Sequence, residues 1–456
     1  MARGKKKETL TPEERLLAAL VPVSEQPYPV PENWCWTRME NIAQWGSGGT
    51  PSRKIPEYYN GDIPWIKTGE LNDDYIFETE EHITEEAISH SSAKLFPVNT
   101  VAIAMYGATI GKVGILGVAA TTNQACACGV SNSLANYKYL FYYARSQKDN
   151  FIKKGKGGAQ PNISQEIIKS HEFPLPPLSE QHRIVDRIES LFAKLDEARQ
   201  KAQDALDSFE TRKAAILHRA FTGELTARWR KERGIGMDSW ERLKLGEIGT
   251  LERGRSQHRP RNDPRLFGGP YPFIQTGDVA SANVYITEHH QTLSEFGMEQ
   301  SRMFSAETLC ITIAANIGDV AILSYDCCFP DSVVGFIPNN RSISKFVYYM
   351  MSVLQKELED NAPATAQKNI NLKILNAVEM NIPPVIEQAE IVRRLDNLLA
   401  KEQQAKENAE KVLEQIDLIQ KAILARAFRG ELGTNDPSEE SAVELVKRAI
   451  ERGEKA

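Results

Sequence analysis

Residues 175–225 read LPPLSEQHRIVDRIESLFAKLDEARQKAQDALDSFETRKAAILHRAFTGEL, and residues 382–432 read IPPVIEQAEIVRRLDNLLAKEQQAKENAEKVLEQIDLIQKAILARAFRGEL. The stretches align without a gap at a constant offset of 207, with about 22 of 51 positions identical. A repeat this long implies a repeated structural unit. In the first copy Ile184, Ile188, Leu191, Leu195, Ala198, Ala202, Ala205, Phe209, Arg212 and Ile216 alternate at spacings of four and three, the seam of a left-handed coiled coil. The second copy carries Ile391, Leu395, Leu398, Glu402, Ala405, Ala409, Val412, Ile416, Ile419 and Ile423 on the same spacing, and Arg212 and Glu402 are the polar exceptions. Pro176-Pro177 and Pro383-Pro384 mark the helix starts, Gly223 and Gly430 the stops. From Glu180 to Arg219, about 40 residues at about 1.5 Å each make a rod of roughly 60 Å. Alanines in mid-seam let two helices approach closely, so one chain with two such seams most simply pairs them with each other. A whole globular domain lies in the connection, so the expected pairing is antiparallel. Packing of each helix on its own domain, or homodimerisation through the seams, is the alternative.

The segments before the helices repeat more weakly in the same order, at offsets of 206 to 208. Ile63-Pro64-Trp65-Ile66-Lys67-Thr68-Gly69-Glu70 matches Tyr271-Pro272-Phe273-Ile274-Gln275-Thr276-Gly277-Asp278, and Ala108-Thr109-Ile110-Gly111 matches Ala315-Asn316-Ile317-Gly318. Short β-type runs and turn signals every ten residues or so predict mixed α/β domains. One helix is expected at Tyr137 to Phe151 and its copy at Ser344 to Leu358, their aromatic stripes facing the core. The fold class is therefore α+β: two mixed α/β domains in tandem pseudo-repeat, joined by two long helices pairing as an antiparallel coiled coil. The expected boundaries are an N-terminal basic segment and short helix at 1–29, a first globular domain at 30–174 and a central helix at 175–225. A linker at 226–236, a second globular domain at 237–381, a C-terminal helix at 382–432 and a tail at 433–456 follow. Thr11-Pro12-Glu13-Glu14 reads as a helix start.

At 456 residues the chain is too long for a single small module, and 41% apolar with 25% charged residues is globular composition. A net charge of −6 excludes a chain that coats nucleic acid by bulk charge and leaves local basic patches to carry any such role. The six cysteines contain no C-x-x-C and read as reduced, partly buried thiols. Neither a secretory signal nor a membrane span is evident, so the cytoplasm is the expected location.

Binding chemistry concentrates in loops. Residues 251–265, LERGRSQHRPRNDPR, bring Arg253, Arg255, Arg259, Arg261 and Arg265 together with Gln257, His258 and Asn262. Guanidinium and amide groups in that density suit phosphate contact and bidentate reading of guanine or adenine edges; a solvated loop is the bland alternative. The corresponding first-half stretch is less basic but offers Ser47, Thr50, Arg53 and Lys54, whose hydroxyls, amides and charges meet phosphates. Lys154 and Lys156 form a second basic cluster, and the linker's Arg228, Arg230, Lys231 and Arg233 are either a solvated hinge or a DNA-backbone contact. No phosphate-binding G-x-x-x-x-G-K-[ST], cofactor-binding glycine loop or HExxH pairing is present, so catalysis and a metal site are not expected of this chain.

Two divergent domains, each followed by a copied helix framed by P-P-x-x-E-Q and R-A-F-x-G-E-L, resemble the DNA-specificity (S) subunit of a Type I restriction-modification enzyme over residues 30–432. The resemblance implies that each domain is a target-recognition domain for one half of a bipartite, asymmetric double-stranded DNA site. It further implies that the helices are a spacer setting half-site centres roughly 34 to 36 Å apart, near one turn of DNA. Two modification subunits methylating adenine N6 would dock beside the spacer, and restriction subunits would cleave unmodified DNA. S-adenosylmethionine, ATP and Mg²⁺ would belong to those partners, none being bound by this chain. In this picture Arg253, Arg255, Gln257, His258, Arg259, Arg261, Gln275 and Thr276 serve the second half-site, and Ser47, Thr50, Arg53, Lys54, Lys67, Thr68, Lys112, Lys154 and Lys156 the first. A Type IIB-like specificity subunit, or a coiled-coil scaffold carrying two domains that do not bind DNA, is the other reading.

Overall fold

Both proline pairs stand where an extended strand gives way to a helix, because proline fits the first helical turn and no later one. The computed structural model describes residues 11–155, 162–314, 317–360 and 370–453. In chain order its principal helices are α1 (Pro12–Ala19), α2 (Tyr137–Ser146), α3 (Lys148–Lys154), α4 (Leu178–Asp207), α5 (Phe209–Phe221), α6 (Ala227–Arg233), α7 (Ser344–Asp360), α8 (Val385–Ala427) and α9 (Ala442–Glu451). The chain divides into two units, Met1–Lys201 with Val412–Ala456 and Ala202–Lys411, so α4 and α8 each contribute one end to each unit.

Three differences from the sequence reading have local causes. The helix expected at Tyr137 to Phe151 is split at Gln147, whose N–H is shared between the carbonyls of Tyr143 and Ala144 while the Ser146 hydroxyl donates to Tyr143 O at 2.6 Å. The first long helix breaks at Ser208, whose hydroxyl donates to Asp204 O at 2.6 Å and so competes with the backbone. Across the linker, residues 227–233 form α6, closed by Gly234 at φ +64°. Elsewhere, Thr11 and Glu14 exchange hydrogen bonds of 3.2 and 2.8 Å in a capping box at the start of α1.

In the first unit a five-stranded sheet has the order β2-β9-β6-β7-β4, formed by Ala43–Ser47, Cys126–Ser131, Val101–Ala104, Val113–Leu116 and Tyr75–Ile76. A three-stranded sheet, β5-β3-β8, uses His82–Ile83, Ile63–Ile66 and Thr121–Thr122, while β1 (Cys35–Arg38) pairs antiparallel with β10 (Glu172–Leu175). The second unit repeats the plan as β12-β20-β17-β18-β14, from Gly249–Arg253, Val333–Pro338, Leu309–Thr312, Val320–Leu323 and Tyr285–Ile286. Its smaller sheet is β15-β13-β19-β16 (Gln291–Leu293, Phe267–Phe273, Cys327–Cys328, Met303–Phe304), and β11 (Glu241–Lys244) pairs with β21 (Glu379–Ile382). All six cysteines are buried and unpaired, as expected.

The repeated motif closes each unit around one buried carboxylate. In the first, Glu180 accepts the Trp34 indole N–H at 2.8 Å and the Thr434 hydroxyl at 3.3 Å. In the second, Glu387 accepts from Trp240 at 3.0 Å, Thr226 at 2.6 Å and the Arg230 guanidinium at 2.5 Å. The adjacent glutamines act alike. Gln181 accepts from Asn136 N–H and donates to the carbonyls of Leu134 and Pro176; Gln388 accepts from Ile343 N–H and donates to Arg341 and Pro383. Phe428 of the R-A-F-x-G-E-L motif packs edge-on against Tyr139 and Tyr143 in the first unit, as Phe221 does against Phe346 in the second. Arg230 is therefore an internal ion-pair partner, its side chain 7% exposed, rather than a hinge or DNA-backbone residue.

Within each unit the long helices run antiparallel. In the first, Arg183 bonds Glu439 at 2.8 Å while Arg199, further along α4, bonds Asp417 at 2.5 Å. In the second, Arg212 bonds Glu402 at 2.8 Å, and Thr226, further along, meets Glu387. The two polar exceptions of the seams are thus each other's partners. The second seam is not buried throughout: Ala405 is exposed in the second unit, Val412 and Ile419 in the first, as a straight 3.6-residue helix drifts off a 3.5-residue repeat.

Glu180 and Glu387 differ in one respect: among the described residues no cation pairs with Glu180 within 4 Å. Burial pushes its carboxyl above the ordinary 4.5, with the Trp34 hydrogen bond opposing. Protonated Glu180 favours the folded unit below pH 4.5, and that contribution is lost as the pH rises through the raised value. Glu387→Gln, which leaves Arg230 buried without its counter-charge, is expected to cost the second unit about 3 to 5 kcal/mol. Glu180→Gln keeps an acceptor for Trp34 and should cost the first unit less than about 1 kcal/mol at neutral pH. Hydrogen exchange read by mass spectrometry on peptides of each unit measures both; equal losses would show that Arg230 is not the difference.

Candidate nucleic-acid interface

Strand register gathers the candidate loops at one end of each five-stranded sheet. In the first unit Ser47 pairs with Ala127, Ala104 with Cys126 and Ile103 with Val113, so loops 48–54, 105–112 and 123–125 leave the same edge. Asn123 N–H donates to Ile66 O at 2.9 Å, which brings Lys67 and Thr68 to that edge as well. In the second unit Arg253 pairs with Val334 and Thr312 with Val333, gathering loop residues 254–263, 313–314, 317–319 and 329–332; Ile274 N–H donates to Cys328 O at 3.0 Å and adds Gln275 and Thr276. The approach is close: a Cβ on Gly254 would lie 2.3 Å from Pro330 O, and one on Gly48 2.0 Å from Thr122 O.

First-unit side chains are heavily committed to one another. The Arg53 guanidinium sits 4.1 Å from the Tyr59 ring centroid and 5.0 Å from that of Trp65, and pairs with Glu81 at 2.5 Å. Lys67 pairs with Glu80 at 2.9 Å and Glu81 at 3.1 Å. Bonds from Arg53, then Lys67, hold the Glu81 carboxyl below its ordinary value. Thr50 bonds Gln124, and Ser47 accepts from Gln165 at 3.3 Å. Lys54 is exposed and Lys112 half-buried, and among the described residues neither forms an ion pair. Lys154 donates to His171 Nδ1 at 3.0 Å and lies 3.7 Å from Glu172. Lys156 and Ala315-Asn316 lie outside the described residues.

The second unit keeps more of its cations open. Arg261 donates from Nη2 to both Asp331 carboxylate oxygens at 3.0 and 3.1 Å, and Arg253 donates to the Asp331 carbonyl. Arg265 with His258 engages Asp263, whose carboxyl the Arg265 bonds above all hold far below the usual carboxylate range. Arg255 donates to Gln257 Oε1 at 2.5 Å, and Arg259 to the carbonyls of Ser256 and His258 at 2.7 and 2.8 Å. Among the described residues no carboxylate pairs with Arg253, Arg255 or Arg259, and all three are exposed. Exposed Gln275 donates to Gln291 at 2.7 Å; half-buried Thr276 opens the short helix behind it. Sequence reasoning missed Asp331, Gln124 and Gln291. The alignment of Thr122-Asn123-Gln124 with Phe329-Pro330-Asp331 at the same offset of 207 was the available signal. Among the described residues no group of His, Cys, Asp and Glu is arranged to hold a metal, and no helix is long and apolar enough to cross a membrane.

Comparison with known proteins gives this arrangement a family. The family model of the Type I restriction modification DNA specificity domain matches residues 31–205 and again 237–415. The specificity subunit of the Escherichia coli Type I restriction enzyme EcoR124I/EcoR124II is 34% identical over 157 residues, 33% of this chain and 39% of that protein. The MjaIX specificity subunit of Methanocaldococcus jannaschii is 29% identical over 54% of this chain and 58% of its own length. These alignments thus span roughly two fifths and three fifths of the relatives' lengths, whereas the E. coli EcoKI specificity subunit aligns over 88% of this chain and 90% of its own at 21% identity. The fold is that of the HsdS subunit from Thermoanaerobacter tengcongensis, with a TM-score of 0.66 at 20% identity over 90% of this chain and all of that one.

The Lys154 site carries a pH dependence. Burial, with Lys154 adding to it, lowers His171 from 6.5 to about 4, and the neutral ring accepts from Lys154 at Nδ1 and donates from Nε2 to Gln147 at 3.2 Å. A depressed histidine supports the fold above its ordinary value and loses that contribution as the pH falls toward the folded one. The first unit is therefore expected to lose about 3 kcal/mol between pH 6.5 and about 4 on this account. Urea unfolding across that window checks it; a His171→Gln variant with the same slope would refute it.

Proposed function

Because the chain belongs to the Type I restriction-modification DNA-specificity family, a family of recognition components rather than enzymes, we propose that each unit reads one half of a bipartite, asymmetric double-stranded DNA site. One observation carries this reading. The same sheet order in the two units presents the same set of loops at the same edge, with unlike side chains on them. Hydroxyls and amides of Ser47 and Thr50, with Lys54, Lys67, Thr68 and Lys112, face one half-site; Arg253, Arg255, Gln257, Arg259 and Gln275 face the other. Arginines without an internal carboxylate suit bidentate contact to guanine O6 and N7 and to phosphates, whereas Arg261 and Arg53 hold the loops in shape through Asp331 and Glu81.

In this reading α8, whose 43 residues at about 1.5 Å each measure roughly 64 Å, and its antiparallel partner set the distance between half-sites. Two modification subunits dock beside them and methylate adenine N6 from S-adenosylmethionine. Restriction subunits using ATP and Mg²⁺ cleave unmodified DNA, and the assembly works in the cytoplasm. This chain supplies the address and leaves the chemistry to its partners.

Deleting the gene should remove one bipartite N6-methyladenine motif from a genome-wide map made by single-molecule sequencing; an unchanged map, with no salt-dependent DNA binding by the purified chain, would refute the reading. Arg255→Ala and Arg259→Ala should each weaken recognition by about 1 to 3 kcal/mol at one half-site only. Equal effects on both halves would count against separate readers.

A further inference from the structure

Among the second unit's loops lies a cavity of about 150 Å³. Its walls include Phe267, Phe273 and Leu293, and its polar rim carries Arg255, His258 and Gln275. The rim is anchored from several sides: Arg255 N–H donates to Phe329 O at 3.1 Å, the Ser301 hydroxyl to Arg255 O at 3.0 Å, and Gln257 N–H to Gln300 O at 3.2 Å. The size is that of a cavity that takes a benzene ring, so a single six-membered ring fits between its walls. Aromatic and aliphatic walls with donors at the mouth match a planar heteroaromatic ring bearing carbonyl acceptors on its edge.

The first unit shows what the corresponding place accommodates. Trp65 stands there for Phe273, each on the strand that pairs in parallel with the neighbouring short strand, at Thr121 and Cys328 respectively. Against Trp65 and Tyr59 lies the planar Arg53 guanidinium, so that unit fills the place with its own flat group, whereas the smaller Phe273 leaves the place open. We propose that the second unit captures one unstacked pyrimidine base of its DNA half-site in the cavity walled by Phe267 and Phe273, with Arg255 and Gln275 bonding the base edge. This rests on the DNA-reading function proposed above. Capture of a single ring extruded from the stack lets the unit test how readily one base pair opens as well as the pattern its edge shows in the groove.

The test uses the full chain with its modification partners and duplexes carrying the mapped site. A fluorescent cytosine or uracil analogue, brighter when unstacked, replaces each pyrimidine of the second half-site in turn. A several-fold rise is expected at one position and at none in the first half-site. Phe273→Trp, which copies the other unit's residue, should abolish the rise and weaken binding roughly ten-fold while leaving first-half contacts unchanged. Gln275→Ala, an exposed change that spares the fold, should reduce the rise. Specific binding with no rise at any pyrimidine, or a rise that survives both variants, overturns the capture; absence of specific DNA binding overturns the function beneath it instead.

Discussion

A buried carboxylate accepting an indole N–H holds each half of this molecule together. Glu180 and Glu387 begin the long helices, yet their partners come from distant segments: the tryptophan that opens each globular region and a threonine just past the end of the other helix. A carboxylate without exposure has to find donors inside the protein, and the only way to supply them is to bring those three segments to one point. The glutamine beside it ties the helix start to the loop before the aromatic helix, and the phenylalanine of R-A-F-x-G-E-L fills the space under that helix. Identity between the copies concentrates at these positions because the same geometry is solved twice.

What the sequence revealed followed from locality. Proline starts, glycine stops and the helix start at Thr11-Pro12-Glu13-Glu14 are written in neighbouring residues, and the helices obey them. Arg212 and Glu402 were visible as breaks in two separate seams, but their meeting depends on direction and register, which heptads do not encode. Arg230 looked like a member of a basic linker because its counter-charge, Glu387, is 157 residues away. The break at Ser208 turned on a single hydroxyl that a seam pattern ignores. In the loops, density of arginine was legible whereas the ion pairing was not: Asp331 and Asp263 pair with Arg261 and Arg265, while among the described residues Arg253, Arg255 and Arg259 have no carboxylate partner.

The two loop edges show how one frame carries two chemistries. Sheet order and register are shared, so a loop leaves each sheet at an equivalent point, and its side chains can change without disturbing the strands beneath. The first unit answers Arg53 and Lys67 with glutamates and stacks Arg53 on aromatic rings; the second leaves Arg253, Arg255 and Arg259 without a carboxylate among the described residues and keeps its cavity open. An overall charge of −6 is compatible with such a surface, because the positive field is concentrated at an edge rather than spread over the chain.

The discontinuity of the first unit has a bearing on how the protein is made. Every residue of Ala202–Lys411 has been synthesised before residue 412 emerges, so the second unit has its complete set of contacts available while translation continues. The first unit, begun earlier, waits: Phe428, Val446 and Ile450 belong to its core, and Ala442 N–H closes onto Asn33 O at 2.9 Å. During that interval the tyrosine face of α2 has no Phe428 to cover it. The nascent chain therefore passes through a stage in which its older half is the unfinished one, exposed to chaperones and proteases until residues 412–453 arrive.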